Sequence, residues 1–419
     1  MNKDSIKMLI AEYQRDASKD ELVDRKYSIE DGLNYVFVGL RRAGKSCLMF
    51  RQIQQLLATG HSRDEILYFN FEDDRLTELD APLLDSIKVC YEEMFDCRPI
   101  FFLDEIQIVS GWEKFARRLA DQGYRVFITG SNAKMLSSEI ATTLGGRYMI
   151  QQVWPFSFEE FLTASNIPIS DSNAIYTHRN SIIKTFETYF QFGGLPEVAR
   201  ITGKRQWLGN LYQKLFFGDL IARHQIRNDF SLRVLIRKLA ESIRQPSSFN
   251  RLANVTSAAG KKISTDTVID YLSFLKESWL IFFVENFYAK LADKTRNQKY
   301  YFTDNGLLNL FLMDPKSSLL ENLVAIQLKR LHGDEVYFYH NGIEVDFYLP
   351  ITQTAIQVCY TLEDTQTRKR ECGALLHLAD RLPVEKMLII SKDEEEIIQL
   401  EDRTIEVTPL WKWLLGTVG

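Results

Sequence analysis

The pattern of apolar and polar positions changes along the chain, and its first block alternates short apolar runs with longer amphipathic stretches. The apolar runs are rich in aromatic or β-branched residues and lie at Tyr35–Val38, Ile66–Phe71, Ile100–Leu103 and Arg125–Thr129. Spacings of about 25 to 35 residues leave room for a crossover helix between each pair. The pattern therefore predicts an α/β core with a parallel sheet over residues 1–160.

Three further blocks follow this core. Residues 156–222 lose strand character and favour helices, with a loop at Ser165–Thr177. Residues 228–303 indicate three helices and then two aromatic strand-like runs, and a helix at Leu319–Leu331 leads into alternating strand patterns. We therefore expect a helical lid at 161–227, a helical domain ending in a hairpin at 228–305, and a second α/β domain at 306–419.

The composition limits the class of protein. With 45% hydrophobic and 26% charged residues, the chain is an ordinary globular one. Its apolar runs, such as Trp279–Val284, fall far short of the roughly 18 residues that a membrane span needs. The 5 cysteines are scattered and form no C-x-x-C pair, which favours a reduced cytoplasm and argues against a structural zinc site. We expect a cytoplasmic protein without a membrane segment.

The net charge of -5 is distributed unevenly along the chain. Residues 223–303 hold 14 Lys and Arg against 7 Asp and Glu, whereas residues 304–419 hold 11 against 19. A basic middle beside an acidic end does not define a fold, but it bears on the choice of partners.

The strongest motif is G-x-x-x-x-G-K-[ST], which is matched by Gly39, Leu40, Arg41, Arg42, Ala43, Gly44, Lys45 and Ser46. An apolar run precedes this motif, and a helix is expected from Cys47 to Leu57. Glycines allow backbone N–H groups to close around phosphates, and the helix N-terminus adds partial positive charge. We expect residues 39–47 to bind the nucleotide, with Lys45 at the β- and γ-phosphates and Ser46 as a ligand of Mg²⁺.

A second acidic element completes the expected site. The apolar run Ile100–Leu103 ends in Asp104, which is placed to hold the Mg²⁺ shell beside the P-loop. Glu105 follows directly and can polarise a water for attack on the γ-phosphate. Because small-molecule kinases of this class need no such second carboxylate, Glu105 favours hydrolysis. The chain has no N-K-x-D motif for reading guanine, so ATP is favoured over GTP.

Two further positions are candidate sensors of the γ-phosphate. The run Arg125–Thr129 leads into Ser131 and Asn132, where P-loop ATPases with an extra strand between the two motifs place a polar sensor. Either residue takes that role, or the segment is only a turn. Arg147 follows a Gly-Gly pair and contacts a γ-phosphate in cis, contacts that of a neighbouring subunit, or is an ordinary loop arginine.

Taken together, the motifs resemble the AAA-type P-loop ATPases of bacteria and archaea that carry a C-terminal DUF4143 domain. The segments that carry the resemblance are GLRRAGKS (39–46), FFLDEIQ (101–107), ITGSNAKML (128–136), GGRY (145–148), WPFSFEEFL (154–162), QFGGLPEV (191–198), YYFTDNGLLN (300–309), LLENLVAIQLKR (319–330) and GIEVDFYL (342–349). The match extends over nearly the whole chain. It implies ATP binding together with hydrolysis, and it leaves the cellular role open.

The basic middle predicts a winged helix. Helices around Leu232–Ile243 and Phe249–Asn254 precede a third helix that is capped by Ser264. The runs Trp279–Phe287 and Gln298–Phe302 can pair as a hairpin. The loop of this hairpin is expected to hold the basic residues Lys290, Lys294, Arg296 and Lys299. Such a module contacts the DNA backbone or serves packing and nucleotide sensing, and the overall acidity of the chain fits the second use.

The C-terminal part resembles the core of the PD-(D/E)XK nucleases. Glu321 on a helix and Asp346 in a strand stand where acidic residues belong, but Gln357 and Cys359 occupy the E and K positions of E-x-K. That chemistry needs carboxylates as hard Mg²⁺ ligands and a lysine beside the attacking water. Lys369, in the helix that follows, is a poor substitute. We therefore expect a nuclease-derived fold without cleavage activity.

The combined interpretation is an α/β P-loop ATPase core with a parallel sheet, followed by a helical lid, a winged helix and a PD-(D/E)XK nuclease-like α/β domain. The first hypothesis is a Mg²⁺-dependent ATPase whose nucleotide state switches its C-terminal modules. The alternative is a nucleic-acid-binding or interaction protein that uses ATP as a structural ligand with negligible turnover. DNA binding through residues 223–303 and a homo-oligomer are compatible with both.

Overall fold

The computed structural model describes residues 2–16, 22–76, 79–132, 142–169, 174–290, 294, 296–400 and 403–416. The chain divides into two compact units, residues 1–154 and 155–419. The division falls slightly before the expected boundary at 160, because Phe156 already belongs to the second unit. Its N–H donates to the Gly194 carbonyl (2.6 Å) and its carbonyl accepts from the Tyr189 hydroxyl (2.9 Å). Within the described ranges no helix is long and apolar enough to cross a bilayer.

The first unit is a parallel sheet with four helices of known bounds. Its strands are β1 (Asn34–Val38), β2 (Ile66–Asn70), β3 (Ile100–Asp104), β4 (Val126–Gly130) and β5 (Tyr148–Gln152). Its helices are α1 (Lys3–Asp16), α2 (Lys45–Ala58), α3 (Ala81–Met94) and α4 (Trp112–Asp121). The strand order is β2-β3-β4-β1-β5. The four predicted strands are confirmed. The fifth, β5, was not predicted, because it lies at the edge of the sheet and exposes Met149 and Ile150.

The order of the strands positions the site. Strand β4 lies between β1 and β3 and is parallel to both. These central strands are apolar at nearly every position because helices cover both faces of such a sheet. The Phe102 and Phe127 rings of β3 and β4 stack with their centroids 4.6 Å apart. The carboxyl ends of β1, β3 and β4 therefore meet at one edge, where α/β sheets bind ligands.

The second unit contains a nine-stranded mixed sheet in the order β13-β14-β12-β11-β10-β9-β7-β8-β6. Its strands are β6 (Ser247–Ser248), β7 (Ile281–Asn286), β8 (Asn297–Phe302), β9 (Tyr337–His340), β10 (Glu344–Leu349), β11 (Thr354–Val358), β12 (Lys386–Ser391), β13 (Glu396–Leu400) and β14 (Arg403–Pro409). Its α-helices are α5 (Phe158–Ala164), α6 (Ala174–Thr177), α7 (Arg179–Phe192), α8 (Lys204–Lys214), α9 (Asp229–Glu241), α10 (Phe249–Ala258), α11 (Thr265–Glu277), α12 (Asn305–Asn309), α13 (Lys316–His332), α14 (Thr365–Ala379) and α15 (Leu410–Leu414).

The three helices and the hairpin expected between 228 and 303 are confirmed as α9, α10, α11 and the antiparallel pair β7–β8. The Ser264 hydroxyl accepts from the Thr267 N–H (3.1 Å) and so caps α11. Strand β7 also pairs in parallel with β9. One sheet thus continues from the hairpin into the C-terminal strands, and no boundary between compact units falls at 227 or 305.

The sequence pattern places Lys299 in the basic loop of the hairpin, and this prediction is wrong. Lys299 lies within β8, where it pairs with Val284 of β7, and its side chain is buried. It is therefore not a surface residue of the hairpin loop. Lys290 and Arg296 are exposed, and Lys294 is partly buried. Residues 291–293 and 295 of the loop lie outside the described residues.

Two of the segments that carry the family resemblance meet around Asp304. One carboxylate oxygen of Asp304 accepts from the Gly194 N–H (2.8 Å) and the other from the Gly306 N–H (2.9 Å), which opens α12. Gly193 has φ 77°, and a Cβ at Gly193 would collide with this carboxylate. Burial raises the pKa of Asp304 to about 6, although backbone N–H donors such as that of Gly194 oppose the rise. Glycine is thus required at position 193.

Candidate nucleotide site

The P-loop leaves β1 at the carboxyl edge of the first unit's sheet. Gly39 and Gly44 have φ values of 151° and 95°, which glycine adopts easily. A Cβ on Gly39 would also collide with the backbone carbonyl of Val153. Helix α2 begins directly after Gly44, so its free N–H groups face the loop. The residues thus form a cradle of the kind that holds phosphate.

Lys45 is almost fully buried in this cradle, with 4% of its surface exposed. Its ammonium donates to the carbonyls of Gly39 and Leu40, both at 3.2 Å, and lies 3.6 Å from a carboxylate oxygen of Glu105. The loop's own carbonyls and one carboxylate therefore neutralise a buried charge. Phosphate oxygens are stronger acceptors that can replace them.

Ser46 and Asp104 lie together, as the sequence predicts. The Ser46 hydroxyl donates to the Asp104 carboxylate (3.1 Å), which also accepts from the Tyr68 hydroxyl (2.8 Å) and from the Thr129 hydroxyl. Burial raises the pKa of the Asp104 carboxyl, and the hydrogen bonds from Thr129 and Tyr68 only partly counteract this. Hydroxyl and carboxylate oxygens are ligands that Mg²⁺ prefers. The donor set therefore fits Mg²⁺ bound together with a nucleotide.

Glu105 is held from several sides in a strained backbone conformation, with φ 54°. Its N–H donates to the Thr129 hydroxyl (2.8 Å). Its carboxylate accepts from the Gln107 amide (2.6 Å) and the Ser131 N–H (3.2 Å). Burial raises the pKa of Glu105, but the Lys45 ammonium and the hydrogen bond from Gln107 outweigh it and hold that pKa below its usual range. Glu105 is therefore a charged carboxylate fixed beside the P-loop.

Asn132 is buried and follows β4 at the same edge of the sheet. Its position agrees with the predicted sensor, because β4 lies between the strands that carry the P-loop and Asp104. A contact with a γ-phosphate stays a prediction. Residues 133–136, the rest of the segment that includes it, lie outside the described residues.

Arg147 is not brought to the P-loop of its own chain. It directly precedes Tyr148, which pairs with Asn34 at the start of β1, whereas the P-loop leaves the end of β1. At about 3.3 Å per residue, a five-residue strand separates the two places by roughly 13 Å. The Arg147 guanidinium instead pairs with Asp121 at 2.5 Å. The roles of Arg147 toward a γ-phosphate in cis, toward that of a neighbouring subunit, or as an ordinary loop arginine stay predictions.

Sequence reasoning assigned no role to four residues of the site: Arg25, Tyr68, Gln107 and Thr129. The Arg25 guanidinium is buried and donates to the carbonyls of Ala43 (2.9 Å) and Trp154 (2.7 Å), so it ties the P-loop to the segment after β5. The only signal for Thr129 was a polar residue inside an otherwise apolar strand. Gln107 lies two positions after Glu105, close enough to be suspected.

This sheet order and this site define a P-loop nucleotide-binding domain of the AAA type, and residues 33–162 match the family model described as an AAA domain. Residues 183–318 match a domain of unknown function, DUF8612. The AAA part of the resemblance is thus confirmed, whereas the DUF4143 domain is not what the family model finds.

Two relatives match almost end to end. The uncharacterized protein MJ1544 of Methanocaldococcus jannaschii is 33% identical over 415 residues, 95% of this chain and 92% of the relative. An uncharacterized protein of Haemophilus influenzae is 30% identical over 392 residues, 91% of this chain and 94% of the relative. The chain belongs to the family of these two proteins. Among solved structures, a Walker-type ATPase of Pyrococcus abyssi matches 74% of this chain and 95% of its own at 12% identity, with a TM-score of 0.43.

Proposed function

We propose that the chain is a Mg²⁺-dependent ATPase. The observation that carries the proposal is the fixed Glu105 carboxylate, 3.6 Å from Lys45 and joined to Gln107 and Ser131 beside the P-loop. A protein that only holds ATP needs the cradle, Lys45 and an Mg²⁺ ligand. It does not need a second buried carboxylate in a strained backbone conformation, which costs about 1–3 kcal/mol.

The mechanism assigns a separate task to each residue. Mg²⁺ bound with ATP supplies positive charge at the phosphate oxygens, and Ser46 with Asp104 would hold it. Lys45 exchanges the carbonyls of Gly39 and Leu40 for phosphate oxygens. Glu105 can accept the proton of a water that attacks the γ-phosphate. Phosphate-release assays with and without DNA test the proposal.

The alternative, ATP as a structural ligand with negligible turnover, predicts binding without phosphate release under every condition. Switching of the C-terminal modules, a DUF4143-type domain and a homo-oligomer remain parts of the proposal that need their own tests. The distance of Arg147 from the P-loop end of β1 supports a contact with the ATP of a second copy of the chain over one in cis.

Gln107 is expected to position Glu105. Changing Gln107→Ala removes the 2.6 Å hydrogen bond to the Glu105 carboxylate. Because small displacements of a catalytic group are costly, we expect kcat to fall about tenfold or more while ATP affinity stays unchanged. Steady-state phosphate release and titration with a fluorescent ATP analogue measure the two quantities.

Gln122→Ala is the matched control for this change, since Gln122 follows α4 at the opposite edge of the sheet. It should leave both quantities unchanged. If Gln107→Ala lowered ATP affinity and turnover together, Gln107 would support the fold of the site and would not specifically position Glu105.

A second candidate function is contact with the nucleic-acid backbone through residues 223–303. The exposed cations of this region are spread over helices and loops and include Arg227, Arg237, Arg244, Arg251, Lys261, Lys262, Lys290 and Arg296. Helix α11, which a winged helix would present to the major groove, exposes the acidic Asp266 and Asp270. Acidic side chains at that place disfavour contact with phosphates. This supports weak binding without sequence preference over recognition of a DNA site.

Duplex DNA binding is expected to be weak and to fall steeply with salt. Changing Lys290, Lys294 and Arg296 to Glu should remove it, whereas Lys299 is left unchanged because it is buried and paired. The matched control reverses the exposed Lys114, Lys316 and Lys369, which alters the net charge equally outside the region. Fluorescence anisotropy at several salt concentrations provides the measurement. Equal effects of both triple changes, or no DNA binding at low salt, would favour the packing role.

A further inference from the structure

An ammonium group stands at the centre of three carboxylates in the second unit. The Lys299 Nζ lies 3.3 Å from Glu321 Oε1, 2.9 Å from Glu344 Oε1 and 3.1 Å from Asp346 Oδ1. We call these four residues the Lys299 cluster. They come from β8, α13 and β10, and the Lys299 side chain is 0% exposed. Glu321 is also buried and accepts from the Tyr301 hydroxyl (2.8 Å).

The cluster lies where the nuclease resemblance places Mg²⁺, since Glu321 and Asp346 are two of the expected ligands. Glu321 Oε1 already faces the Lys299 ammonium and the Tyr301 hydroxyl. Asp346 Oδ1 receives Lys299, and Asp346 Oδ2 accepts from the Val358 N–H (2.9 Å). Among the described residues, no three Asp, Glu, His or Cys side chains are arranged to hold a metal ion. The residues present therefore do not fit Mg²⁺.

Gln357, at the position of the third expected ligand, is also committed to other partners. Its carbonyl oxygen accepts from the Asp346 N–H (2.8 Å) and its amide donates to the buried Glu371 (2.7 Å). Gln357 thus orients Asp346 toward Lys299 and offers no free oxygen to a cation. The E-x-K position has become part of the scaffold around the ion cluster.

A buried ammonium is stable only when opposite charges and hydrogen bonds surround it. Here three carboxylates supply the charge, and the Phe338 ring lies 5.7 Å from the Lys299 Nζ. Burial lowers the pKa of Lys299, but Glu321 and the other carboxylates raise it far more, so the pKa is raised and the ammonium stays charged. The ammonium in turn neutralises the surrounding carboxylates, which is what a divalent cation would otherwise do.

We propose that the Lys299 ammonium takes the place of the divalent cation in this nuclease-like site. The cluster is a built-in ion pair network that joins the β7–β8 hairpin to α13 and β10. Position 359 holds no lysine, but Lys299 brings an ammonium to the site from β8. This ammonium neutralises the carboxylates instead of accompanying a metal-bound water. The native chain binds no divalent cation here and cleaves no phosphodiester.

The test is to remove the internal cation and ask whether a metal replaces it. Lys299→Ala leaves three carboxylates around a cavity the size of the lost side chain. With Mn²⁺ alone as the probe, we expect a new binding site by electron paramagnetic resonance. Saturating Mn²⁺ should raise Tm by about 5 °C or more. Adding Asp346→Asn should abolish both effects, and a variant that folds only with Mn²⁺ present supports the proposal equally.

Lys392→Ala is the matched control, because Lys392 is also buried but pairs with Glu187 outside the cluster. It should gain no Mn²⁺ site. Mn²⁺ binding by the wild-type chain is measured in parallel. Mn²⁺ bound at the Lys299 cluster should be lost in Asp346→Asn, whereas Mn²⁺ bound at Ser46 and Asp104 should not. Wild-type Mn²⁺ binding or DNA cleavage that is lost in Asp346→Asn would overturn the proposal, as would a folded Lys299→Ala variant without a new site. If Lys299→Ala does not fold, the presence or absence of Asp346-dependent Mn²⁺ binding in the wild-type chain still tests the proposal.

Discussion

Glu105→Gln should abolish ATP hydrolysis and leave ATP binding intact. The amide keeps the shape of the carboxylate and can keep the contact with the Gln107 side chain, but it cannot accept a proton from the attacking water. General bases contribute about 10² to 10⁴ in rate, so phosphate release should fall at least a hundredfold. Lys45→Ala should instead weaken binding, because it removes the charge that meets the terminal phosphates. Phosphate release and nucleotide titration distinguish the two variants.

Glu92→Gln serves as the control for this experiment. Glu92 lies near the end of α3, away from the P-loop, and accepts a hydrogen bond from the Tyr124 hydroxyl (3.0 Å) that an amide oxygen can also accept. Turnover of this variant should equal that of the wild type. If Glu105→Gln hydrolyses ATP at the normal rate, Glu105 is not the base. In that case another residue activates the water, because normal turnover also excludes ATP as a structural ligand.

Gly193→Ala should destabilise the second unit by about 3 kcal/mol or more. The backbone at Gly193 has φ 77° and ψ -171°, a combination that is essentially limited to glycine. The new Cβ would also strike the Asp304 carboxylate, which is buried and committed to the N–H groups of Gly194 and Gly306. The Asp304 carboxylate cannot move away without losing these hydrogen bonds. The energy of the backbone strain and that of the lost hydrogen bonds therefore add. Urea unfolding followed by circular dichroism measures the change.

Gly373→Ala is the matched control in the same unit. Gly373 lies within α14, and a Cβ there meets nothing within 4 Å. Alanine favours helix over glycine by about 0.5–1 kcal/mol, so this variant should be unchanged or slightly more stable. If Gly193→Ala and Gly373→Ala had equal free energies of unfolding, the backbone around Gly193 and Asp304 would have to rearrange at little cost, which would contradict the prediction.

The nucleotide site was largely predictable because its parts are local motifs. Lys45, Ser46, Asp104 and Glu105 follow strands whose apolar runs are plain in the sequence. Tyr68 was not predictable as a partner of Asp104. Its role depends on β2 and β3 being neighbours, and that neighbourhood is a property of strand order, which periodicity does not reveal.

The C-terminal site was misjudged for the same physical reason. The sequence pattern finds the hairpin but assigns Lys299 to its loop, since a lysine inside a buried strand is rare. Its counter-ions Glu321 and Asp346 lie on other elements and are joined to it only by the folded sheet. The pairing of β7 with β9 cannot be seen in local sequence patterns either.

The Lys299 cluster also has a consequence for synthesis of the chain. Glu321 and Asp346 follow Lys299 by 22 and 47 residues, so the hairpin leaves the ribosome before its counter-ions exist. At about 5–20 residues per second, several seconds pass before β10 emerges. During that interval an unpaired ammonium cannot be buried, and the apolar side chains of β7 and β8 stay accessible to chaperones. A chain truncated before Glu344 would lack two of the three counter-ions of Lys299, so we expect its hairpin to stay exposed.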